Sequence, residues 1–235
     1  STFIENSAIS SSDKALGGAI YNASNNLTIN NSTFTGNYAQ TTTGVAIGGA
    51  ICSTGDITFN VNGGFESVFR DNYVQVDNNK DYVGIGVGSV FGITLDSQVT
   101  ENDTRTTIYT YTTNSTPTLT FNLSESGSVV MDDKIVLADN NVYTYKRTIV
   151  QNVKTNSDGT KSYTTKSDDS TTATKTGQTM NAKLNITSSD NTGVFNLNND
   201  VVNFDITLNS GTLKLANHEY TNNLHTNTAS YSLAD

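Results

Sequence analysis

Two short motifs recur along the first third of the chain at nearly the same spacing. The tetrapeptide Gly-Gly-Ala-Ile occupies residues 17–20 and returns 31 positions later at residues 48–51. The pattern Phe-x-x-Asn begins at Phe3, Phe34 and Phe69, so its copies lie 31 and 35 positions apart. Self-similarity at a period of about 20–50 residues is typical of folds built from stacked repeats, and it constrains the fold more strongly than local propensity does.

Each repeat contains three short runs of apolar or aromatic residues, at 19–21, 27–29 and 33–35, separated by Asn, Ser, Thr and Gly. Runs of this kind, rich in β-branched and aromatic residues and bounded by turn formers, indicate strands. No stretch has apolar residues at helical spacing. Three strands per stacked repeat predict an all-β fold of the parallel β-helix type, in which each turn of the coil adds one strand to each of three sheets.

The motif residues have definite expected roles in such a coil. Phe side chains of successive turns would point inward and stack about 4.8 Å apart. Asn side chains would lie at a bend, where an amide donates and accepts between turns. Paired glycines would allow positive φ and close packing at a corner. The residues assigned to this structural motif are Gly17, Gly18, Ala19, Ile20, Phe34, Asn37, Gly48, Gly49, Ala50, Ile51, Phe69 and Asn72.

The interleaved Gly-Gly-Ala-Ile and Phe-x-x-Asn motifs resemble the repeats of chlamydial-type polymorphic outer-membrane proteins. The resemblance covers roughly residues 1–75. These proteins are autotransporters whose passenger is a right-handed β-helix displayed on the cell surface. The resemblance therefore implies a right-handed parallel β-helix, secretion by the autotransporter route and a location on the extracellular side of the outer membrane. The sequence opens inside a repeat, which predicts an excised fragment of a longer passenger.

Composition limits the classes of partner. Hydrophobic residues make up 34% of the chain and the net charge is −9. Low hydrophobicity with abundant Thr, Asn and Ser is also typical of disordered chains, but here the apolar positions are regularly spaced. An acidic chain is unsuited to nucleic acid, which requires a basic footprint. No apolar run is long enough for a membrane helix, so no direct membrane insertion is expected.

We predict three regions along the chain. Residues 1–140 form turns of the coil, with the next strand at 90–95 and a half-exposed strand at 106–112. Residues 141–180 form a protruding antiparallel hairpin around Asp158-Gly159, because Asp-Gly between two alternating runs is a strong hairpin signal. A flexible Ser/Thr/Asp segment, 167–177, trails it. Residues 181–235 return to the coil and end in a tail.

The predicted hairpin is also the candidate receptor-binding region. Insertions at the corners of repeat proteins often carry variable function. Exposed Tyr can contact a sugar or a protein, although packing between neighbouring strands is the simpler role for these tyrosines. The candidate contact residues are Tyr143, Tyr145, Lys146, Arg147, Lys161 and Tyr163.

Catalytic, metal and cofactor sites are not expected. The carboxylate pairs Asp132-Asp133 and Asp168-Asp169 lie in polar, turn-like stretches and are interpreted as solvated loop acids. His218, Glu219 and His225 would need to converge before they could hold a metal. Cys52 cannot form an internal disulfide, because it is the single cysteine, and we interpret it as a packed residue.

The sequence therefore predicts a non-catalytic, surface-displayed bacterial adhesin. A rigid β-helix would bind a receptor, protein or glycan, on a host or bacterial cell through many modest contacts. Two alternatives remain open at this point. One is a carbohydrate-active β-helix enzyme, either pectate-lyase-like or a glycosidase, although the chain has only three Arg to line a groove. The other is self-association between cells through paired coil flanks, which would depend on salt.

Overall fold

The fold consists of β-strands joined by short turns. A computed structural model describes residues 1–23, 26–87, 90–101, 103–115, 117–138, 141–179, 181–215, 224–226 and 230–233. Every regular element among these residues is a strand or a turn, so the predicted all-β class is confirmed. Within the same ranges no helix is long and apolar enough to cross a membrane.

The strands are short through most of the chain and long in two segments. In the first part they are β1 (Thr2–Ile4), β2 (Ser7–Ser10), β3 (Ala15–Leu16), β4 (Ile20–Asn22), β5 (Asn26–Asn30), β6 (Thr33–Thr35), β7 (Tyr38–Thr41), β8 (Ala46–Ile47), β9 (Ile51–Ser53), β10 (Asp56–Val61), β11 (Glu66–Arg70), β12 (Tyr73–Val76), β13 (Asn79–Asp81) and β14 (Val83–Val87). They continue as β15 (Val90–Glu101), β16 (Thr104–Ser115), β17 (Thr118–Leu123), β18 (Ser128–Met131), β19 (Lys134–Leu137), β20 (Asn141–Thr155), β21 (Lys161–Thr179), β22 (Ala182–Ser188), β23 (Val194–Leu197), β24 (Val201–Val202), β25 (Phe204–Leu208), β26 (Thr212–Leu215), β27 (Leu224–Thr226) and β28 (Ser230–Leu233).

Three sheets with parallel pairing contain most of these strands. Sheet I has the order β27-β25-β22-β17-β10-β5, sheet II the order β1-β6-β11-β18-β23-β26-β28, and sheet III the order β24-β19-β14-β9-β4. The chain visits them repeatedly in the same sequence, as in β5, β6, β9 and then β10, β11, β14. Two smaller sheets, β13-β12-β7-β2 and β3-β8, complete this part of the molecule.

A further sheet, which we call sheet IV, is antiparallel and forms a separate compact unit. Sheet IV has the order β15-β16-β20-β21, and all three of its pairings are antiparallel. Its residues are 90–115 and 141–180, while the other compact unit comprises 1–89, 116–140 and 181–235. The chain leaves for sheet IV after β14 and again after β19, which are neighbouring strands of sheet III.

Sheet IV corrects two of the predicted boundaries. The predicted turns of the coil at 90–115 are instead the antiparallel pair β15–β16, in which strict alternation serves a two-stranded ladder rather than a parallel sheet. The segment 167–177, expected to be flexible, belongs to β21 and pairs with β20. Its Ser, Thr and Asp are poor core formers, but a backbone ladder satisfies their N–H and C=O groups without a core. The β20–β21 pairing surrounds the turn at Asp158-Gly159.

Alternation of buried and accessible residues generates the core of the parallel unit. In β10, for example, Ile57, Phe59 and Val61 are buried and the residues between them are half-buried. The ring of Phe34 stacks on those of Phe3 and Phe69, with centroids 4.7 and 4.9 Å away. These distances equal the spacing of paired strands, about 4.8 Å, so identical residues in register stack directly.

The repeated asparagines form a ladder beside the phenylalanines, and its members Asn37 and Asn72 are fully buried. The side-chain amide of Asn6 donates to Asn37 Oδ1 over 2.8 Å, and the amide of Asn37 donates to Asn72 Oδ1 over 2.8 Å. Asn72 donates in turn to Asp133 Oδ2 over 2.6 Å. Four turns of sequence are therefore joined by one row of side chains that ends in a carboxylate.

The two glycines of each pair have different tasks. Gly17 and Gly48 adopt φ of 59° and 63°, which is the left-handed region that favours glycine. Gly18 and Gly49 have ordinary φ, but a Cβ at either position would meet the backbone of a neighbouring strand. The pair thus combines a sharp turn with a close approach of two chains.

Candidate functional site

Most of the motif residues are buried and inaccessible to a ligand. Phe34, Phe69, Asn37 and Asn72 are fully buried. Ala50 and Ile51 are equally buried, while Ala19 and Ile20 pack against the core from partly buried positions. Any binding surface therefore lies on the residues that alternate with this motif, or outside the repeats.

Two of the predicted contact residues are accessible on sheet IV. Lys161 and Tyr163 are exposed at the start of β21, with 43% of Tyr163 accessible. The Arg105 guanidinium lies 3.6 Å from the centre of the Tyr163 ring and also donates to Gln151 Oε1 over 3.0 Å. The side chains of the other four candidates, Tyr143, Tyr145, Lys146 and Arg147, lie outside the described residues, and their backbones belong to β20.

Positive charge is concentrated in the antiparallel unit. Its two segments contain seven of the thirteen Lys and Arg but six of the twenty-two Asp and Glu, which gives a net charge of +1. The other unit holds the remaining six basic and sixteen acidic residues, a net charge of −10. Lys154, Lys161 and Lys166 are exposed. An anionic partner would meet far less repulsion on sheet IV than on the parallel unit.

The pair Asp132-Asp133 is not a pair of solvated loop acids, as the sequence suggested. Asp133 is buried, with 1% of its surface accessible, and its Oδ2 accepts bonds from the Asn72 amide group and backbone N–H. Burial raises the pKa of the Asp133 carboxyl to about 6. The row of asparagines creates this environment, because Asp133 occupies the next position in it.

Asp132 contacts two neighbouring polar side chains. Its Oδ2 pairs with Arg70 Nε at 2.6 Å and its Oδ1 accepts a bond from the Asn198 amide at 2.7 Å. The second predicted carboxylate pair, Asp168-Asp169, is exposed on β21 rather than in a loop. The two acids of the first pair thus have structural partners of their own.

The metal and thiol predictions have the following outcomes. His218 and Glu219 lie outside the described residues, and of His225 only the backbone, in β27, is described. Among the described residues no group of three or more His, Cys, Asp or Glu is arranged to hold a metal ion. Cys52 is buried, and burial raises the pKa of its thiol to about 12, so the thiol stays protonated at neutral pH.

The sequence analysis overlooked one regular surface, which lies on the outer face of sheet I. Outward residues of neighbouring strands are in register, pairing Thr28 with Thr58 and Thr58 with Thr120. Two positions further along the strands, Asn30, Asn60 and Asn122 form a parallel row. The amide of Asn60 donates to Asn30 Oδ1 over 2.8 Å and that of Asn122 donates to Asn60 Oδ1 over 3.0 Å.

A signal for this surface is present in the sequence. The pattern apolar-Thr-apolar-Asn occurs at 27–30, 57–60 and 119–122. The second copy follows the first by 30 positions, close to the period of the other motifs, whereas the third follows a long insertion. Comparing the polar residues between the apolar ones would have revealed it.

Comparisons of this chain with protein-family models, with curated proteins and with solved structures gave no match.

Proposed function

We propose that this chain is part of a surface-displayed bacterial adhesin, a non-catalytic autotransporter passenger that attaches one cell to a host or bacterial cell. In this proposal sheets I, II and III are the faces of a right-handed parallel β-helix, with sheet IV as an inserted antiparallel element. The repeated visits of the chain to the three sheets in one order support the β-helix. The resemblance of its two motifs to polymorphic outer-membrane protein repeats supports the passenger.

We assign the binding region from the difference in net charge between the two units. An acidic body with a net charge of −10 and a nearly neutral sheet with exposed lysines suit one-sided attachment to an anionic cell surface. Charge steers encounter and selects orientation more than it adds affinity. The exposed Tyr163 supplies a flat amphipathic contact beside these charges. The receptor would be a protein or a glycan with acidic groups.

A charge-reversal experiment tests this proposal. The variant K154E/K161E/K166E changes three exposed residues of sheet IV, and the matched control K14E/K183E/K214E makes the same change at three exposed residues of the other unit. Binding of the purified chain to epithelial cells and to a glycan array is measured at low and physiological salt. We expect the sheet IV variant to lose at least about tenfold in affinity and the control to keep it, with weaker binding at higher salt.

Two results would contradict the proposal. Equal loss in both variants would show that total charge, rather than sheet IV, determines attachment. Absence of binding to cells and glycans together with release of product from a polysaccharide would instead support the carbohydrate-active enzyme. Sedimentation at rising protein concentration separately tests the cell–cell alternative, which requires the chain to self-associate.

A further inference from the structure

The outer face of sheet I presents two straight rows of uncharged polar side chains. We call these rows the Thr/Asn array. The array consists of Thr28, Thr58, Thr120, Asn185 and Thr207 in one row, and Asn30, Asn60, Asn122, Thr187 and Asn209 in the other. Successive members of a row are one strand apart, about 4.8 Å. The rows are separated by two residues of strand, about 6.7 Å. All ten side chains are exposed or half-exposed.

The array has unused capacity for hydrogen bonds. Within the described part of the chain, the hydroxyls of Thr28, Thr58, Thr120 and Thr207 neither donate to nor accept from another protein group. Each hydroxyl offers one donor and two acceptor positions. They are spaced regularly along a paired sheet, so little conformational freedom remains to be lost when a ligand binds.

The asparagine row is held in place by its own hydrogen bonds. The amides of Asn122 and Asn60 point the same way, because Asn122 donates to Asn60 Oδ1 and Asn60 donates to Asn30 Oδ1. A side-chain amide has two donor hydrogens, and each of these bonds uses only one. The second hydrogen of Asn60 and of Asn122 therefore remains for a ligand, in a fixed orientation.

A shallow groove of about 340 Å³ runs beside the asparagine row. Its lining includes Asn30, Asn60, Asn62, Asn122, Ser124 and Thr187, and none of its lining residues is charged. Both rows and the groove lining are therefore uncharged, although the chain has a net charge of −9. The centre of a protein interface is usually enriched in aromatic residues and nucleic acid requires positive charge. Neither feature occurs in the array.

We infer that the Thr/Asn array binds an extended neutral polysaccharide, which lies across the strands of sheet I. Hydroxyls and fixed amides are suited to the vicinal hydroxyls of a sugar, which both donate and accept. A linear polymer whose sugar units repeat at about the strand spacing would meet an equivalent pair of side chains at each strand. Affinity would come from repetition of weak contacts along the array. This site lies on a different sheet from the region proposed above for attachment, and neither proposal depends on the other.

The test uses insoluble cellulose, chitin and β-mannan as neutral probes, with heparin-agarose and polygalacturonate as charged ones. The variant T58V/T120V removes two central hydroxyls and keeps the β-branched shape that suits a strand. The matched control T33V/T212V removes two half-buried hydroxyls from sheet II. Thermal unfolding verifies that all proteins are folded.

We expect the unchanged chain to bind at least one neutral polysaccharide, and high salt to leave that binding unaltered. T58V/T120V should bind about tenfold more weakly, whereas T33V/T212V should bind as the unchanged chain does. K154E/K161E/K166E should also retain this binding, which separates the array from the attachment region on sheet IV. Lack of binding to all three neutral probes, equal effects of the two valine variants, or binding only to the charged probes would overturn the inference.

Discussion

The parallel sheets and sheet IV differ in which side chains contact each other across strands. In the parallel sheets like residues stack on like, as Phe34 does between Phe3 and Phe69. In sheet IV a side-chain contact joins two unlike residues, since Arg105 of β16 reaches Tyr163 of β21. Repetition makes every turn of sequence part of the same core. Sheet IV has no repeated core to maintain, so charged and aromatic residues can occupy its surface.

The largest expected effect comes from removing the fully buried end of the phenylalanine row. Phe69 is fully buried, 4.9 Å from the Phe34 ring and 5.5 Å from the Phe59 ring. We expect F69A to lower the free energy of unfolding by about 3–5 kcal/mol, because it removes a large apolar side chain and leaves a cavity. Denaturant unfolding followed by circular dichroism measures the change. F3A is the control, since Phe3 lies at the other end of the row and is only partly buried. An equal loss for both would contradict burial as the cause of the larger effect at Phe69.

A second prediction compares a glycine in each unit. A Cβ on Gly49 would meet the backbone nitrogen of Tyr73 and lie 2.6 Å from its carbonyl oxygen. Backbone cannot move aside cheaply, so we expect G49A to destabilise the chain by about 3 kcal/mol. Gly159 has φ of 84° but no atom within 4 Å of a Cβ, so G159A should cost only about 1 kcal/mol. Unfolding curves of both variants would decide, and a larger loss for G159A would contradict the comparison.

The third prediction concerns the point where the asparagine row ends. The pKa of the Asp133 carboxyl rises from 3.8 to about 6 on folding, so the folded state binds its proton more tightly than the unfolded state does. The free energy of unfolding should therefore fall as pH rises from about 4 to about 6, and stay lower above that range. A shift of this size corresponds to about 3 kcal/mol. An asparagine at this position would carry no charge at any pH and could continue the row.

We accordingly expect D133N to raise the free energy of unfolding by about 1–3 kcal/mol at pH 8 and to have little effect below pH 4. Asp190 is a control, because folding lowers the pKa of its carboxyl whereas it raises that of Asp133. Its carboxylate accepts hydrogen bonds from Thr192 and Glu125 N–H groups, which lower its pKa to about 2. Its contribution is present at neutral pH and lost as pH falls through about 2, so D190N should destabilise at pH 8. Chemical denaturation across this pH range measures both. A pH-independent effect of D133N would disprove the assignment.

The amount of structure that the sequence could predict differs between the two units. Repeated Phe34 and Phe69, at nearly constant spacing, predicted stacking because parallel strands place equivalent residues one strand apart. The burial of Asp133 could not be predicted this way, since the motif there has lost its Phe and the Asp stands only two positions after Met131. Residues 90–115 were misplaced because alternation alone does not distinguish an antiparallel strand from a parallel one with a wet outer face.

The candidate surfaces were predictable to a smaller extent than the core. Lys161 and Tyr163 follow an Asp-Gly turn, a local signal, and they are exposed. The Thr/Asn array is a long-range feature. Its rows join residues 22 to 65 positions apart, and part of the larger separations is the length of the sheet IV segments inserted between β14 and β17 and between β19 and β22. The repeated apolar-Thr-apolar-Asn pattern marks candidate residues in the sequence, but their register across an insertion is established only by strand pairing.

The smallest expected effect lies in sheet IV, at the contact between Arg105 and Tyr163. Arg105 places its guanidinium 3.6 Å from the centre of the Tyr163 ring, and both side chains remain partly accessible to water. A cation–π contact at such a site is worth about 0.5–1 kcal/mol. Two double-mutant cycles, one pairing R105A with Y163A and the other pairing R105A with Y163F, are measured by hydrogen exchange of the β21 amides. They separate the free energy of the Arg105–Tyr163 contact from that of the Arg105–Gln151 hydrogen bond. We expect a coupling free energy between R105A and Y163A, because Ala removes the ring. We expect almost none between R105A and Y163F, because Phe keeps the ring that the guanidinium contacts. Coupling as large as the loss in F69A would mean that sheet IV, like the parallel sheets, depends on its aromatic contacts for folding rather than holding them available for a partner.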